Sequence, residues 1–420
     1  MVSIAEQNGR PAGSPNGTGR RAFDRWFRYP AGFSVDTIEA AVAACDLAPG
    51  GTLIDCFAGV ATTGMQAIRD GHSFVGIEAN PLIAELAALK VRRPAITGAE
   101  LRERCLALVD VMPAGGSKQL DGEHELVARC FDPPTLGELV WIRDRIAETA
   151  DEASSYLTWA LLGTLRDSAV VRTGWPYQRP GMERRTLVAS VSKGLLGRCD
   201  AIAADLDLWQ EEWVPGTVVL GDSRSGDAWA QVPERADGCV TSPPYLNNYD
   251  YLDAIRLELY FMGRASRWSE LLGVARTSLV AATTHHATAM SATEAQEHLD
   301  SLGVGDRVSE LGRSLAAERR RRSRGKEYDR MVVSYAGDMV KVLKGLHGAL
   351  KPGAKAVFVI GDSAPYGVFV DTPDLVSELG EAVGFSEVSR TLLRNRGTRW
   401  RTNGSRHQVS LSERMLVLEA

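Results

Sequence analysis

The sequence predicts an α/β fold, a doubly wound and mostly parallel sheet with helical insertions, on three observations. Short apolar segments alternate with helical patterns, a strand–turn–helix–strand unit of about 30 residues stands near the N-terminus, and the residues suited to chemistry sit in the turns that follow the apolar segments. A chain of 420 residues holds one large core with insertions or two domains, and 44% hydrophobic with 24% charged residues describes an ordinary globular protein.

Each element follows from local pattern. Residues 1–21 are rich in Gly, Asn, Pro and Arg and carry no apolar stretch, which predicts a disordered tail and no secretory signal. No apolar run has the length of a membrane span, so a cytoplasmic protein is expected. Phe23 to Ser34 sets five aromatics around a Pro and a Gly. Val35 to Leu47 reads as an amphipathic helix closed by Pro49-Gly50-Gly51. Thr52 to Cys56 is a strand, Phe57 to Gly64 a glycine-bearing turn, Met65 to Asp70 the start of a helix, and Ser73 to Ile77 a second strand ending at Glu78. From Ile83 to Asp207 the pattern is helical, with a strand expected only at Leu187 to Val191. Thr217 to Leu220 and Gly238 to Thr241 resume the sheet, the second running straight into Ser242-Pro243-Pro244-Tyr245. A polar helical stretch covers 264–330, then come a helix at Met331 to Leu350 ended by Lys351-Pro352-Gly353, a strand at Ala354 to Ile360 and a helix at Leu375 to Val383. The last strands fall near Phe385 to Ser389 and Arg414 to Leu418.

Ligands of such sheets bind beyond the carboxyl ends of the strands, where these turns lie. In Asp55 to Gly64 the small residues let a ligand approach the backbone, and the following helix start offers unpaired N–H groups. Glu78 ends the next strand, where an acid commonly accepts hydrogen bonds from a ribose diol, and Asp222 ends the one after. Alone, such a turn is equally a plain strand-to-helix connection. Thr241-Ser242-Pro243-Pro244-Tyr245 is the more specific signal. A similar string, Asp132-Pro133-Pro134-Thr135, has no strand before it and reads as a turn opening a helix at Leu136.

Tyr29 to Gly64 (YPAGFS…LIDCFAGVATTG) together with SPPY resembles the motifs of the amino-methylating DNA methyltransferases, the N4-cytosine and N6-adenine enzymes. The resemblance covers about Phe23 to Glu78 and Val218 to Leu418. It implies a seven-stranded Rossmann-like methyltransferase sheet, S-adenosyl-L-methionine as cofactor, DNA as partner, and cofactor roles for Phe33, Asp55, Phe57, Gly59, Thr62 and Glu78, with Asp222 placed to meet the adenine amino group. Ser242, Pro243, Pro244 and Tyr245 match the catalytic motif. The lone pair of an exocyclic amine is delocalised into the base and needs acceptors for its N–H groups, which Ser242 Oγ and the Pro243 carbonyl supply. The two prolines hold that carbonyl rigid, and Tyr245 stacks on a base that has left the helix. Serine at the first position favours cytosine N4, with adenine N6 the alternative. Methylation of RNA or protein glutamine, and a catalytically dead DNA-binding module, stay open beside it. Two departures from the family pattern are Cys56 for proline and Ala61 for the second glycine, whose methyl is expected to narrow the passage for the cofactor.

Asn247 and Tyr249 are candidates for the base pocket, though an Asn-rich helix cap reads almost equally well. Two basic stretches suit phosphate contacts: Arg319 to Lys326, and Arg390 to His407 with Arg396, Arg399 and Arg401. The second is favoured, since a hairpin between the last strands lies near the catalytic edge. Six scattered cysteines without C-x-x-C or Pro-Cys exclude a thiolate mechanism and a zinc site, and His285-His286 with His298 lacks supporting ligands, so no metal is expected. The chain is thus divided into a tail (1–21), a cofactor half (22–99), a helical insertion (100–210), a catalytic half (211–263), a basic helical insertion (264–330) and a C-terminal part with the arginine-rich hairpin (331–420). Glu100 to Leu208 and Arg264 to Arg330 are both candidates for target recognition, and either can equally be structural. A cognate restriction nuclease or defence-system proteins are the further partners such an activity would have.

Overall fold

The computed structural model describes residues 21–29, 34–171, 190–246, 252–267, 269–270, 280–282, 289–323, 325–396 and 409–420. Seven strands form one sheet: β1 (Thr52–Asp55), β2 (Ser73–Glu78), β3 (Thr217–Leu220), β4 (Ala236–Thr241), β5 (Leu350–Gly361), β6 (Ser386–Arg396) and β7 (Leu411–Glu419). Their order is β3-β2-β1-β4-β5-β7-β6. The first five are mutually parallel, while β7 runs antiparallel between β5 and β6. This is the doubly wound, Rossmann-like methyltransferase sheet expected from the sequence. From β1 the chain proceeds to β2 on one side and later returns as β4 on the other, so the gap between the ends of β1 and β4 is the topological switch point where such sheets bind ligands.

Strand alternation divides the core. Leu53 packs on one face against α1 (Val35–Ala44), α2 (Thr62–Arg69) and α3 (Pro81–Val91). That face continues into α4 (Gly98–Asp110), α5 (Glu125–Cys130), α6 (Pro133–Thr149), α7 (Glu152–Ser168) and α8 (Val191–Leu206), the helical insertion between β2 and β3. The neighbouring Ile54 points to the opposite face. Beyond β3 come α9 (Gly226–Trp229), α10 (Arg256–Phe261), α11 (Ala289–Ser301), α12 (Gly305–Arg320), α13 (Tyr328–Ala349) and α14 (Thr372–Glu381). Buried residues of α13 and α14, among them Tyr335, Met339 and Leu379, cover the Ile54 face, and α11 and α12 pack on α13 from outside.

Several boundaries differ from expectation, each for a local reason. The strand expected at 187–191 is not there at its described end: Ser190 caps α8 by accepting from Lys193 N, and Val191 is its first residue. Lys351-Pro352-Gly353 lies inside β5, where the register against β4 shifts between Ala236 and Gly238, so it forms an irregularity at the strand's start. Asp132-Pro133-Pro134-Thr135 is a helix start, with the Asp132 carboxylate accepting from Thr135 N at 3.0 Å. β6 and β7 are longer than predicted because each pairs with the other along its described length, from Ser386↔Glu419 to Arg396↔Leu411.

Candidate active site

The glycine turn leaves β1 at Asp55 and enters α2 at Thr62. Asp55 is buried, and its Oδ1 accepts from the Phe57 N–H at 3.0 Å, which bends the chain out of the strand. Gly59 takes φ +52°, a conformation glycine adopts freely, and Tyr29 lies against it: a Cβ built there would meet the Tyr29 ring at 3.9 Å. Ala61 stands at φ 55° as the N-cap of α2. It is fully buried in the core, so the departure from glycine places an L-residue in the left-handed region at the start of the helix.

Glu78 closes the far side of the turn. Its Oε2 accepts from Gly59 N at 2.9 Å and its Oε1 from Asn80 N at 2.8 Å. A carboxylate offers about four acceptor positions, and with Ala79 N–H also bonded to it these backbone donors leave room for a further donor. Burial, with the charge of nearby Asp55, raises the Glu78 carboxyl to about 7, and burial raises Asp55 to about 6 against the hydrogen bonds it accepts. Phe57 is half-buried at the turn's exposed side. Thr62, expected at the cofactor, is buried, and its hydroxyl donates to Asp24 at 3.1 Å. Asp222 ends β3 as expected, with its carboxylate gripped by Arg224 Nη2 at 2.7 Å and Nε at 2.9 Å, while Arg224 also reaches Asp338 of α13 at 2.9 Å.

Thr241 joins this turn to the tetrapeptide, accepting from the Cys56 thiol at 3.7 Å and donating on the other side. Thr241, the last residue of β4, donates its hydroxyl to Asp55 Oδ1 at 2.6 Å. Although 186 residues apart, the two strand ends are adjacent across the switch point. The next residue, Ser242, donates its hydroxyl to the Val359 carbonyl of β5 at 2.9 Å. That bond uses the Ser242 proton and leaves the oxygen's lone pairs available as acceptors. Tyr245 donates to Glu413 Oε1 of β7 at 2.8 Å, and Arg394 of β6 holds the same carboxylate at 2.8 Å. Arg396 lies 5.0 Å from the centroid of the Tyr245 ring, over its face, and donates to the Asp362 carbonyl. Gly361 has no room for a Cβ, which would strike Arg396 and approach the Tyr245 ring to 3.1 Å. Burial and the neighbouring Glu413 charge hold the tyrosine hydroxyl protonated, far above its ordinary range.

The segment before the turn is anchored by buried charges that no local pattern announced. Lys90 is 1% exposed, and its ammonium donates to Asp24 at 2.9 Å and to the Val60 carbonyl of the turn at 2.6 Å. Burial lowers its pKa against the attraction of Asp24. Asp205 of α8, fully buried, accepts from Phe23 N at 2.6 Å, Trp26 Nε1 at 2.8 Å and Arg25. Arg166 of α7 pairs with the buried Glu258 of α10, lies 4.0 Å from the Phe27 ring centroid, and donates to the carbonyls of Arg28 and Ala254. Lys90 of α3 therefore ties the N-terminal segment to the turn, and the helical insertion ties that segment to the helix downstream of the tetrapeptide.

Phe33, Asn247, Tyr249, Arg399, Arg401 and the His285-His286 pair lie outside the described residues. Among the described residues no group of three acidic, cysteine or histidine side chains is placed to hold a metal ion, and no helix is long and apolar enough to cross a membrane. All six cysteines are buried and unpaired, and burial keeps the Cys239 thiol protonated.

The geometry agrees with what the chain is similar to. Type II methyltransferase M.BsoBI of Geobacillus stearothermophilus is 22% identical over 471 residues, spanning all of this chain and 90% of the relative. Type II methyltransferase M.AvaI, from Nostoc sp. (strain PCC 7120) and from Anabaena variabilis, is 25% identical over 388 residues, or 86% of this chain and 79% of the relative. These relatives are Type II methyltransferases. No protein-family model matches the chain.

Proposed function

We propose that the chain is a DNA methyltransferase that transfers the methyl group of S-adenosyl-L-methionine to the N4 amino group of cytosine, as part of restriction–modification or a related defence. The observation that carries this reading is the Thr241–Asp55 hydrogen bond, which sets the tetrapeptide beside the glycine turn at the sheet's switch point. The similarity to Type II methyltransferases over nearly the whole chain supports DNA as the substrate. Among the described residues, Asp55, Phe57, Gly59, Glu78 and Asp222 would hold the cofactor. Ser242 leans the reading towards cytosine.

S-adenosyl-L-methionine, when bound, supplies a methyl group on a sulfonium that departs as a neutral thioether. Every other part of the reaction falls to the chain. The target base leaves the duplex and rests on Tyr245, whose ring is fixed at its hydroxyl by Glu413 and along its edge by Gly361. One amine N–H donates to Ser242 Oγ, which accepts because its own proton is committed to Val359. The second donates to the Pro243 carbonyl, held still by two consecutive prolines. These acceptors draw the lone pair out of the ring and hold it in line for transfer, and the extra proton of the methylated amine then passes to water, so positioning and electrostatics carry most of the acceleration.

The test is tritiated-methyl transfer to unmethylated DNA, tRNA and ribosomal protein, followed by digestion of the DNA to nucleosides and mass spectrometry. N4-methylcytosine is the expected product. N6-methyladenine would change only the base, and label confined to tRNA or protein would overturn the DNA reading.

A further inference from the structure

The basic run after α12 builds a second site. Arg321, Arg322, Ser323, Lys326, Tyr328 and Tyr366 line an open cavity of about 550 Å³. The first five come from the connection between α12 and the start of α13, and Tyr366 comes from the loop that follows β5. The two segments are bonded to each other: the Tyr366 hydroxyl donates to the Lys326 carbonyl at 2.9 Å, and the Tyr328 ring meets the Tyr366 ring edge-on at 4.7 Å. The Arg322 guanidinium sits over the Tyr366 ring, 4.5 Å from its centroid. An aromatic face therefore aims this cation, where a carboxylate would ordinarily do so.

The acids nearby are engaged by other cations. Glu318 pairs with Arg321, Glu327 with Arg319 and Arg330, and Asp329 with Arg319. Among the described residues no carboxylate pairs with Arg322 or Lys326, and both side chains are exposed. Tyr366 itself stands at φ 56°, a costly conformation for a bulky residue, of the kind that gathers at binding sites. The cavity is too open and too poor in apolar wall to enclose a small ligand, and its exposed cations suit an extended polyanion.

Its place in the fold says which part of the polyanion. The loop bearing Tyr366 begins at Gly361, which packs against Tyr245, and Ser363 donates to the Leu246 carbonyl at 2.8 Å. Tyr366 stands five positions after Gly361, at most about 18 Å of chain. At 3.4 Å per base pair this puts the cavity within about five base pairs of a base held on Tyr245. We propose that Arg322 and Lys326 grip a backbone phosphate of the DNA flanking the target base, holding the duplex in register with the catalytic loop. The proposal rests on the reading of the chain as a DNA methyltransferase.

The full chain would be titrated onto fluorescein-labelled unmethylated duplex fragments across a salt series, with cofactor binding and steady-state methyl transfer measured in parallel. The variants are Arg322→Ala with Lys326→Ala, the charge-keeping pair Arg322→Lys with Lys326→Arg, and Lys193→Ala as an exposed control cation on α8. For the alanine pair the slope of log K against log salt falls in magnitude by about 1, at roughly 0.9 for the one phosphate no longer neutralised. Its Kd and KM for DNA rise about tenfold, with kcat and cofactor affinity within about twofold of wild type. The charge-keeping pair and the control retain the wild-type slope. An alanine pair with wild-type slope and Kd, in a protein that binds and methylates DNA, would overturn the cavity while leaving the function standing. A wild-type protein that binds S-adenosyl-L-methionine but no DNA would overturn both.

Discussion

Around Asp55 and Glu78 the polar contacts come mostly from backbone N–H groups 2 to 19 residues away, whereas Tyr245 is held by Glu413, 168 residues further along, with Arg394 and Arg396 beside it. The glycine turn, proposed to hold the cofactor, is mostly shaped by near neighbours, with Thr241 and Lys90 as its contacts from further away. The catalytic half is assembled from the edge hairpin β6–β7 and is complete only when the whole sheet has closed. The second half depends on particular charges.

The comparison breaks most visibly if the buried anchor of the cofactor half is removed. Lys90→Met leaves Asp24 uncompensated in the core and should cost about 3–5 kcal/mol of stability, read as a lower midpoint of urea unfolding. Wild-type stability would mean that the turn does not rely on this pair. Next in size, Tyr245→Ala removes the surface offered to the base and should slow transfer about a hundredfold, with cofactor affinity unchanged. Equal losses in both would show that the two halves are not separable.

A pH profile sharpens the difference further. The Glu78 carboxyl is raised from 4.5 to about 7, so in the free protein it is protonated over much of the acidic range. A ribose diol donates to the carboxylate form. Cofactor affinity measured by calorimetry should therefore be flat above pH 7 and fall by up to tenfold per unit below it. The sign for folding is opposite: a group that binds its proton more tightly when folded stabilises the protein below pH 4.5, and that contribution is lost as pH rises to about 7. Glu78→Gln should abolish the slope. The smallest effect belongs to Glu413→Gln, which keeps a hydrogen-bond acceptor for Tyr245 but releases Arg394. A loss of about five- to tenfold in kcat, without change in cofactor binding, is expected from one charge-assisted contact.

The same contrast explains what was legible in the sequence. Asp55, Gly59 and Glu78 could be placed because a strand period, a glycine turn and an acid at the next strand end are short-range signals. Ser242 to Tyr245 could be placed because the motif follows its own strand. Glu413, Lys90 and Arg166 gave no local signal, since an acid or a cation within a strand or helix reads as a solvated face until the fold shows what it meets. Arg394 stood in a basic stretch read for phosphate, and its pairing with Glu413 was not legible. The 187–191 segment failed for a related reason: a short apolar run is strand or helix according to its cap, and Ser190 supplied a helix cap. Thr62 was assigned by motif position, whereas its hydroxyl is committed to Asp24 on a segment whose course no pattern revealed.

The most direct test of the central claim is single-turnover methyl transfer by Ser242→Ala beside the wild type, with nucleoside mass spectrometry of the DNA and calorimetry of S-adenosyl-L-methionine binding. An acceptor poised by Val359 for an amine N–H predicts N4-methylcytosine from the wild type and a rate about 10²–10³ lower in the variant, at equal cofactor affinity. A Ser242→Ala protein that methylates DNA at the wild-type rate would contradict the account.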